Sequence, residues 1–243
     1  MPIAFDWAPD VAAALDRLVA AGGPGVACFD ADGTLWSGDV VVSFIEETLP
    51  RLPARETPGF DATLARVLGE INYETARLQH AVFAGLPASL AAAWSEESFA
   101  RRIAPTAYDR VWHLVREFEA AGIEVWICSG SPDWLVQPGA ARLGIPPGRV
   151  LASRPGIRDG VFEAEPVVVT AGPGKAEAVA RHVGPRLHFA AGDSMSDFPM
   201  LEMADHRLVL APPDPDGRLG GLADKARARG WWVQPIAAHL VGA

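Results

Sequence analysis

The chain has 243 residues, 49% of them hydrophobic, with a formal net charge of −9 and a pI near 5.1. That is enough for a full α/β core and a modest second domain, while the acidic balance argues against a nucleic-acid partner, which calls for clustered cations. The first six residues (MPIAFD) lack a basic segment followed by an apolar core, and no apolar run nears the length of a membrane span, so a soluble cytoplasmic protein with no membrane partner is expected.

In chain order, residues 10–21 place apolar side chains at 11, 15, 18 and 19, with Asp10 as candidate N-cap and Gly22-Gly23 as a stop, predicting a packing helix. Val26–Phe29 is apolar without alternation, as in a buried parallel strand, and it stops at Asp30-Ala31-Asp32-Gly33-Thr34. Two acids one residue apart at a strand's carboxyl end, where open α/β sheets bind ligands, describe a candidate site. Taken alone, a solvated Asp/Gly turn accounts for the pair as well. After Trp36 the pattern turns helical: 40–49, 60–68, 73–83 and 87–93, punctuated by Pro50, Pro53, Pro58, Gly69 and Gly85. A helix over 105–122, apolar at Val111, Leu114, Val115 and Phe118, leads back to the sheet; His113 on it reads as solvated or packing.

Ile123–Cys128 is a second apolar run, ending at Ser129-Gly130-Ser131. A helix over 133–143 follows, interrupted by Pro138 and Gly139, then a short strand over 150–153 and a hairpin over 157–170 around Arg158-Asp159-Gly160. Lys175 sits near the start of a helix over 174–183. The run Leu187–Ala191 ends at Gly192-Asp193-Ser194-Met195-Ser196-Asp197, before a helix over 197–204 and strands over 207–211 and 231–236. Cys28 and Cys128 fall near core-strand ends and read as free buried thiols in preference to a disulfide or metal pair.

Four elements in order, Asp30-x-Asp32-Gly33-Thr34, Ser129, Lys175 and Gly192-Asp193-x-x-x-Asp197, resemble the haloacid dehalogenase superfamily of phosphohydrolases over residues 25–212. The resemblance implies an α/β fold: a doubly wound, Rossmann-like parallel sheet with a small helical cap inserted after the first core strand. The expected division is a core of residues 1–40 and 105–243 and a cap of residues 41–104. The implied activity is phosphatase chemistry on a small phosphorylated metabolite, with Mg²⁺ as cofactor. Asp30 would attack phosphorus and become an aspartyl phosphate, and Asp32 would protonate the leaving alcohol and then activate water. Asp30, Asp193 and the backbone carbonyl of Asp32 would hold the metal. Lys175 would neutralise developing charge, Ser129 and the Gly130 amide would bind phosphoryl oxygens beside Ser131, and Asp197 would orient Lys175 or a metal-bound water.

The fourth motif departs from the Gly-Asp-Gly-x-Asn-Asp common in the phosphoserine phosphatase branch, with Ser194 and Ser196 in place of Gly and Asn. That branch also carries an acid nine positions past the nucleophile for a substrate amine, here Asp39, and a cap arginine for the carboxylate, with Arg77 and Arg66 as contenders. Trp36 and Trp134, following the first and second motifs, could line the pocket mouth and hold a cationic head group. The substrates in view are phosphoserine, phosphoethanolamine and phosphocholine. Dehalogenation is disfavoured by Asp32; a phosphotransferase acting on a small alcohol and a non-catalytic phosphoester-binding protein are the alternatives.

Overall fold

The computed structural model describes residues 3–51 and 59–237; the predicted breakers Pro53 and Pro58 lie outside the described residues. Among the described residues, seven strands form one sheet in the order β4-β3-β2-β1-β5-β6-β7, parallel except for the β3–β4 pair. They are β1 (Gly25–Phe29), β2 (Ile123–Pro132), β3 (Val150–Arg158), β4 (Val161–Val168), β5 (Leu187–Gly192), β6 (Ala204–Ala211) and β7 (Trp232–Pro235). The doubly wound Rossmann-like fold is therefore as expected.

Alternation along each strand divides the core between the two faces. Ala27, Phe29, Val125, Ile127, Phe189 and Leu208 belong to one buried cluster, with Val11 and Leu15 of α1 (Pro9–Ala21) and Val111, Leu114 and Phe118 of α6 (Asp109–Ala120). Cys28, Cys128, Ala190 and Val209 belong to the other, with Val179 of α8 (Pro173–His182), Met200 and Leu201 of α9 (Phe198–Glu202) and Leu222 of α10 (Leu222–Ala228). Strands covered on both faces have no polar side, which is why they read as unbroken apolar runs. Both cysteines are free and buried. His113 lies on α6 with its side chain 60% exposed, so it is solvated.

β1 is central, and the chain leaves it toward β2 on one side and returns to its other side at β5. The carboxyl ends of β1, β2 and β5 thus meet at the topological switch point, the place where open sheets bind ligands. The described segments between β1 and β2 are helical: α2 (Val40–Thr48), a 3-10 turn (Leu49–Arg51), α3 (Phe60–Gly69), α4 (Tyr73–Phe83), α5 (Ala88–Ser98), a π-helical turn (Phe99–Ile103) and a 3-10 turn (Ala104–Thr106). The β3–β4 hairpin leans onto these helices: Phe162 N donates to Leu86 O at 3.0 Å and Gly85 N to Phe162 O at 2.7 Å. Its turn is at Asp159 and Gly160, both at positive φ (50° and 79°), as a tight two-residue hairpin turn needs.

Among the differences from the sequence reading, three stand out. β3 continues through Ser153 to Arg158 as one hairpin strand. α10 lies in a stretch where no element was expected, since its seven residues are too few to display a periodicity. α7 (Asp133–Leu143) runs unbroken through Pro138 and Gly139. A proline removes the N–H that would reach the carbonyl four residues back, that of Trp134; the buried Ser95 hydroxyl of α5 donates to it instead, at 2.7 Å. Gly139 leaves room for a ring, since a Cβ there would sit 2.5 Å from Trp36 Cζ3.

Candidate active site

Asp30 follows β1 directly, and its amide donates to Ala191 O of β5 at 2.9 Å. Lys175 is the third residue of α8; its Nζ donates to Asp30 Oδ1 and, at 2.5 Å, to Asp197 Oδ1. The other Asp197 oxygen accepts from the amides of Asp193 (3.1 Å) and Ser194 (3.0 Å), so this acid shapes the turn after β5 while holding the lysine. Gly192 permits that turn, because a Cβ there would lie 2.5 Å from Asp197 Cβ. Gly33, at φ 77°, is likewise required: a Cβ would fall on the Asp193 carboxylate.

Asp30, Lys175, Asp193 and Asp197 are all under 9% exposed. Three acids against one lysine leave an excess of buried negative charge. Burial and the Asp197 carboxylate push Asp30 up to about 7 against the pull of Lys175. Burial, Asp197 and Asp30 push Asp193 well above the usual carboxylate range. Burial alone would lower the Lys175 ammonium, but Asp197 and Asp30 outweigh it and hold the lysine well above its ordinary value.

Asp32 faces the opposite wall. Its Oδ1 accepts from Trp36 Nε1 at 2.8 Å and from the Val40 amide, the first of α2, at 2.9 Å; its Oδ2 lies 2.6 Å from Ser131 Oγ. Burial, then the charges of Asp39 and Asp30, raise Asp32 to about 8, against hydrogen bonds from Ser131 and Trp36 that lower it. That direction favours the protonated form, the form a general acid requires.

A cavity of about 770 Å³ lies over these groups, walled by the β-strand tips, α2, α4, the π-helical turn and the 212–219 loop. Asp30, Asp32, Asp39, Ser129, Gly130, Ser131, Lys175, Asp193, Ser194 and Ser196 all line it. Asp197 does not; it sits behind Lys175. Ser129 Oγ accepts from the Ser131 amide at 3.1 Å, Ser194 Oγ lies 3.3 Å from Asp197 Oδ2, and Ser196 Oγ accepts from the Gly172 amide at 3.0 Å. The departure at Ser196 thus ties the acidic turn to the turn that starts the lysine helix. Asp39 is the N-cap of α2, its Oδ1 accepting from the amides of Val41 (2.7 Å) and Val42 (3.1 Å).

Four expectations are corrected here. Trp36 is fully buried and absent from the cavity wall; its ring packs edge-on against Phe99 at 5.1 Å. Trp134 also stays off the wall, within an aromatic cluster with Phe44, Phe83 and Phe162. Apolar rings gain more from burial, about 1.5–3 kcal/mol each, than from a wet pocket mouth. Arg77 is turned outward into ion pairs with Glu74 (3.0 Å) and Glu165 (2.8 Å), and Arg66 lies 3.8 Å from Glu70; neither lines the cavity. The arginines that do are Arg101, Arg102 and Arg218. Gln79 of α4 was also missed: it is buried, lines the cavity and donates from Nε2 to Gly130 O at 2.8 Å, stitching the helical wall to the tip of β2. The adjacent Arg101-Arg102 pair before Pro105 was a visible signal; a lone glutamine on a helix was not.

Known proteins resemble this chain in sequence and in fold. A phosphoserine phosphatase of Mycobacterium tuberculosis is 31% identical over 242 residues, covering 93% of this chain and 76% of that protein. A probable phosphatase of the same organism is 31% identical over 136 residues, 54% of this chain and 45% of that protein, so the matched part is just under half the length of that relative. Among solved structures, a substrate-bound phosphoserine phosphatase shares the fold at a TM-score of 0.55, with 21% identity over 77% of this chain and 86% of that one. The profile of haloacid dehalogenase-like hydrolases matches residues 27–202. With motif order, sheet topology and a match over most of its length in accord, the chain belongs to the haloacid dehalogenase-like hydrolase family.

Proposed function

We propose that the protein is a Mg²⁺-dependent phosphatase that hydrolyses a small phosphomonoester through a phosphoryl group carried on Asp30. The observation that supports this best is the meeting in one cavity of a buried carboxylate held by Lys175 and a second carboxyl, Asp32, hydrogen-bonded to Ser131 and raised by burial toward its protonated form. An Asp30 oxygen attacks phosphorus in line, forming the acyl phosphate as the bond to the leaving alcohol breaks; the Asp32 proton passes to that alcohol's oxygen. Asp32, now a carboxylate, takes a proton from the water that attacks the same phosphorus and restores Asp30. Lys175 is fixed to offset charge on the phosphoryl oxygens and on Asp30, and Ser129 with the Gly130 amide supplies donors at the tip of β2.

The residues fit a hard dication. Carboxylate oxygens of Asp30, Asp193 and Asp197 all lie within 4.8 Å of one another, they are buried, and the donor set is oxygen only. Asp30 and Asp193, with the Asp32 carbonyl, would hold Mg²⁺, and Asp197 would stay with Lys175. Bound there, Mg²⁺ supplies the positive charge that lets a carboxylate and a phosphate approach.

In this reading residues 41–104 act as the cap over a core of 1–40 and 105–243, and exclude water from the cavity. An amine-bearing substrate is the preferred class. Asp39, Glu46, Glu70, Asp214 and Asp216 outnumber Arg101, Arg102 and Arg218 on the outer wall. With Trp36 and Trp134 away from the wall, the two rings that pointed to phosphocholine no longer do so, and phosphoserine and phosphoethanolamine are favoured over it.

The test is phosphate release from a panel of phosphorylated metabolites with Mg²⁺, using wild type, Asp30→Asn and Asp39→Asn. Asparagine keeps the helix cap at 39 and removes only the charge. Turnover abolished by Asp30→Asn, with KM raised by Asp39→Asn for amine-bearing substrates alone, is expected; full turnover by Asp30→Asn would refute the nucleophile.

A further inference from the structure

Trp36 is fully buried, yet its one polar atom is spent on the cavity floor. Nε1 donates to Asp32 Oδ1 at 2.8 Å, and the Val40 amide donates to the same oxygen at 2.9 Å. Two N–H donors on one side of a carboxyl fix its plane and leave the other oxygen, Oδ2, turned to Ser131 Oγ at 2.6 Å, with Asp32 and Ser131 both on the cavity wall. The ring that carries this donor is itself clamped. Phe99, in the π-helical turn, meets it edge-on with planes at 85°, and a Cβ at Gly139 would stand 2.5 Å from Cζ3 and 2.8 Å from Cη2. A glycine inside a continuous helix costs about 1 kcal/mol relative to alanine, and the space it leaves is filled by Trp36. A π-helical turn is likewise a rare backbone form, frequent at functional sites.

The geometry points to Trp36 as a positioning residue for the acid–base group: its indole N–H sets the orientation of Asp32 so that Oδ2 meets the leaving-group oxygen. Trp36 touches no substrate, and Gly139 with Phe99 holds it in place. The inference rests on the phosphatase reading above and adds to it a residue that acts only through Asp32.

Leaving-group dependence separates this role from mere packing. A general acid matters greatly when the departing oxygen is an alkoxide and little when it is a stabilised phenolate, so losing its alignment steepens the dependence of kcat/KM on leaving-group acidity. The experiment compares kcat/KM for phosphoserine and p-nitrophenyl phosphate in wild type, Trp36→Phe, Gly139→Ala and Asp32→Asn. Because each ratio is taken on one enzyme sample, partial misfolding of a variant cancels. Trp36→Phe, which keeps an aromatic ring at the position and deletes the N–H, is expected to lower the ratio of phosphoserine to p-nitrophenyl phosphate by about tenfold, against the roughly 10²–10⁴-fold that general acid catalysis is worth. Gly139→Ala, which displaces the ring, should shift it in the same direction, and Asp32→Asn should shift it furthest. Equal losses on both substrates in Trp36→Phe would overturn the positioning role and leave the phosphatase reading intact. Wild-type enzyme that turns over neither ester would overturn both.

Discussion

The two walls of the cavity handle charge in opposite ways. At the sheet edge, Asp30, Lys175, Asp193 and Asp197 are buried and interlocked, each carboxylate or ammonium depending on the next. On the helical wall, Arg101 and Arg102 are about half exposed and paired with Glu47 and Glu46, and on the same helical side but off the cavity Arg77 pairs with Glu74 and Glu165. Ions out of water gain or lose several kcal/mol with their partners, whereas exposed pairs are worth 0–1 kcal/mol or so. The sheet edge is therefore suited to fixed chemistry, and the helical wall to contacts that can be exchanged for those of a ligand.

The largest effect should come from removing the cation of the sheet edge. Lys175→Ala leaves Asp30 and Asp197 unpaired, and in chelator-treated protein it should cost about 3–5 kcal/mol in denaturant unfolding and abolish turnover. A loss below about 1 kcal/mol would show that the buried cluster does not work as a unit.

A middle-sized effect belongs to His80 of α4, buried on the helical side and lowered to about 4 by burial. The unfolded chain binds its proton near 6.5 and the native chain does not, so stability rises with pH across this window. What the neutral imidazole permits is full above about pH 6.5 and is lost toward pH 4, up to about 3 kcal/mol. His80→Gln should flatten that part of the stability profile; an unchanged slope would mean that the imidazole is not buried neutral.

The smallest effect is expected at Arg77. Arg77→Ala should change stability by no more than about 1 kcal/mol and leave kcat and KM alone, since the guanidinium lies in surface ion pairs away from the cavity. A raised KM would restore the substrate contact that its position disfavours.

The same contrast explains what could be read from the residues alone. Asp30, Ser129 and Asp193 announce themselves because each ends or adjoins an apolar strand, and strand ends at a switch point converge whatever the helices do. The helical wall offers no such anchor. Arg77, Arg101 and Arg102 are equally polar in sequence, and helix rotation alone decides which of them faces inward. Trp36 misleads for a related reason: adjacency to a motif suggests exposure to the cavity, while the ring turns into the space left by Gly139. The continuity of α7 through Pro138 was illegible because the compensating hydroxyl, Ser95, is 43 residues away in the chain.

The central claim is that Asp30 becomes transiently phosphorylated, and acid quenching during turnover tests it most directly. With Mg²⁺ and a substrate ester, mass analysis of the quenched protein should find a phosphoryl adduct on the peptide containing Asp30 and none in Asp30→Asn. Steady turnover with the adduct on another residue, or with no adduct under conditions that trap acyl phosphates, would contradict it.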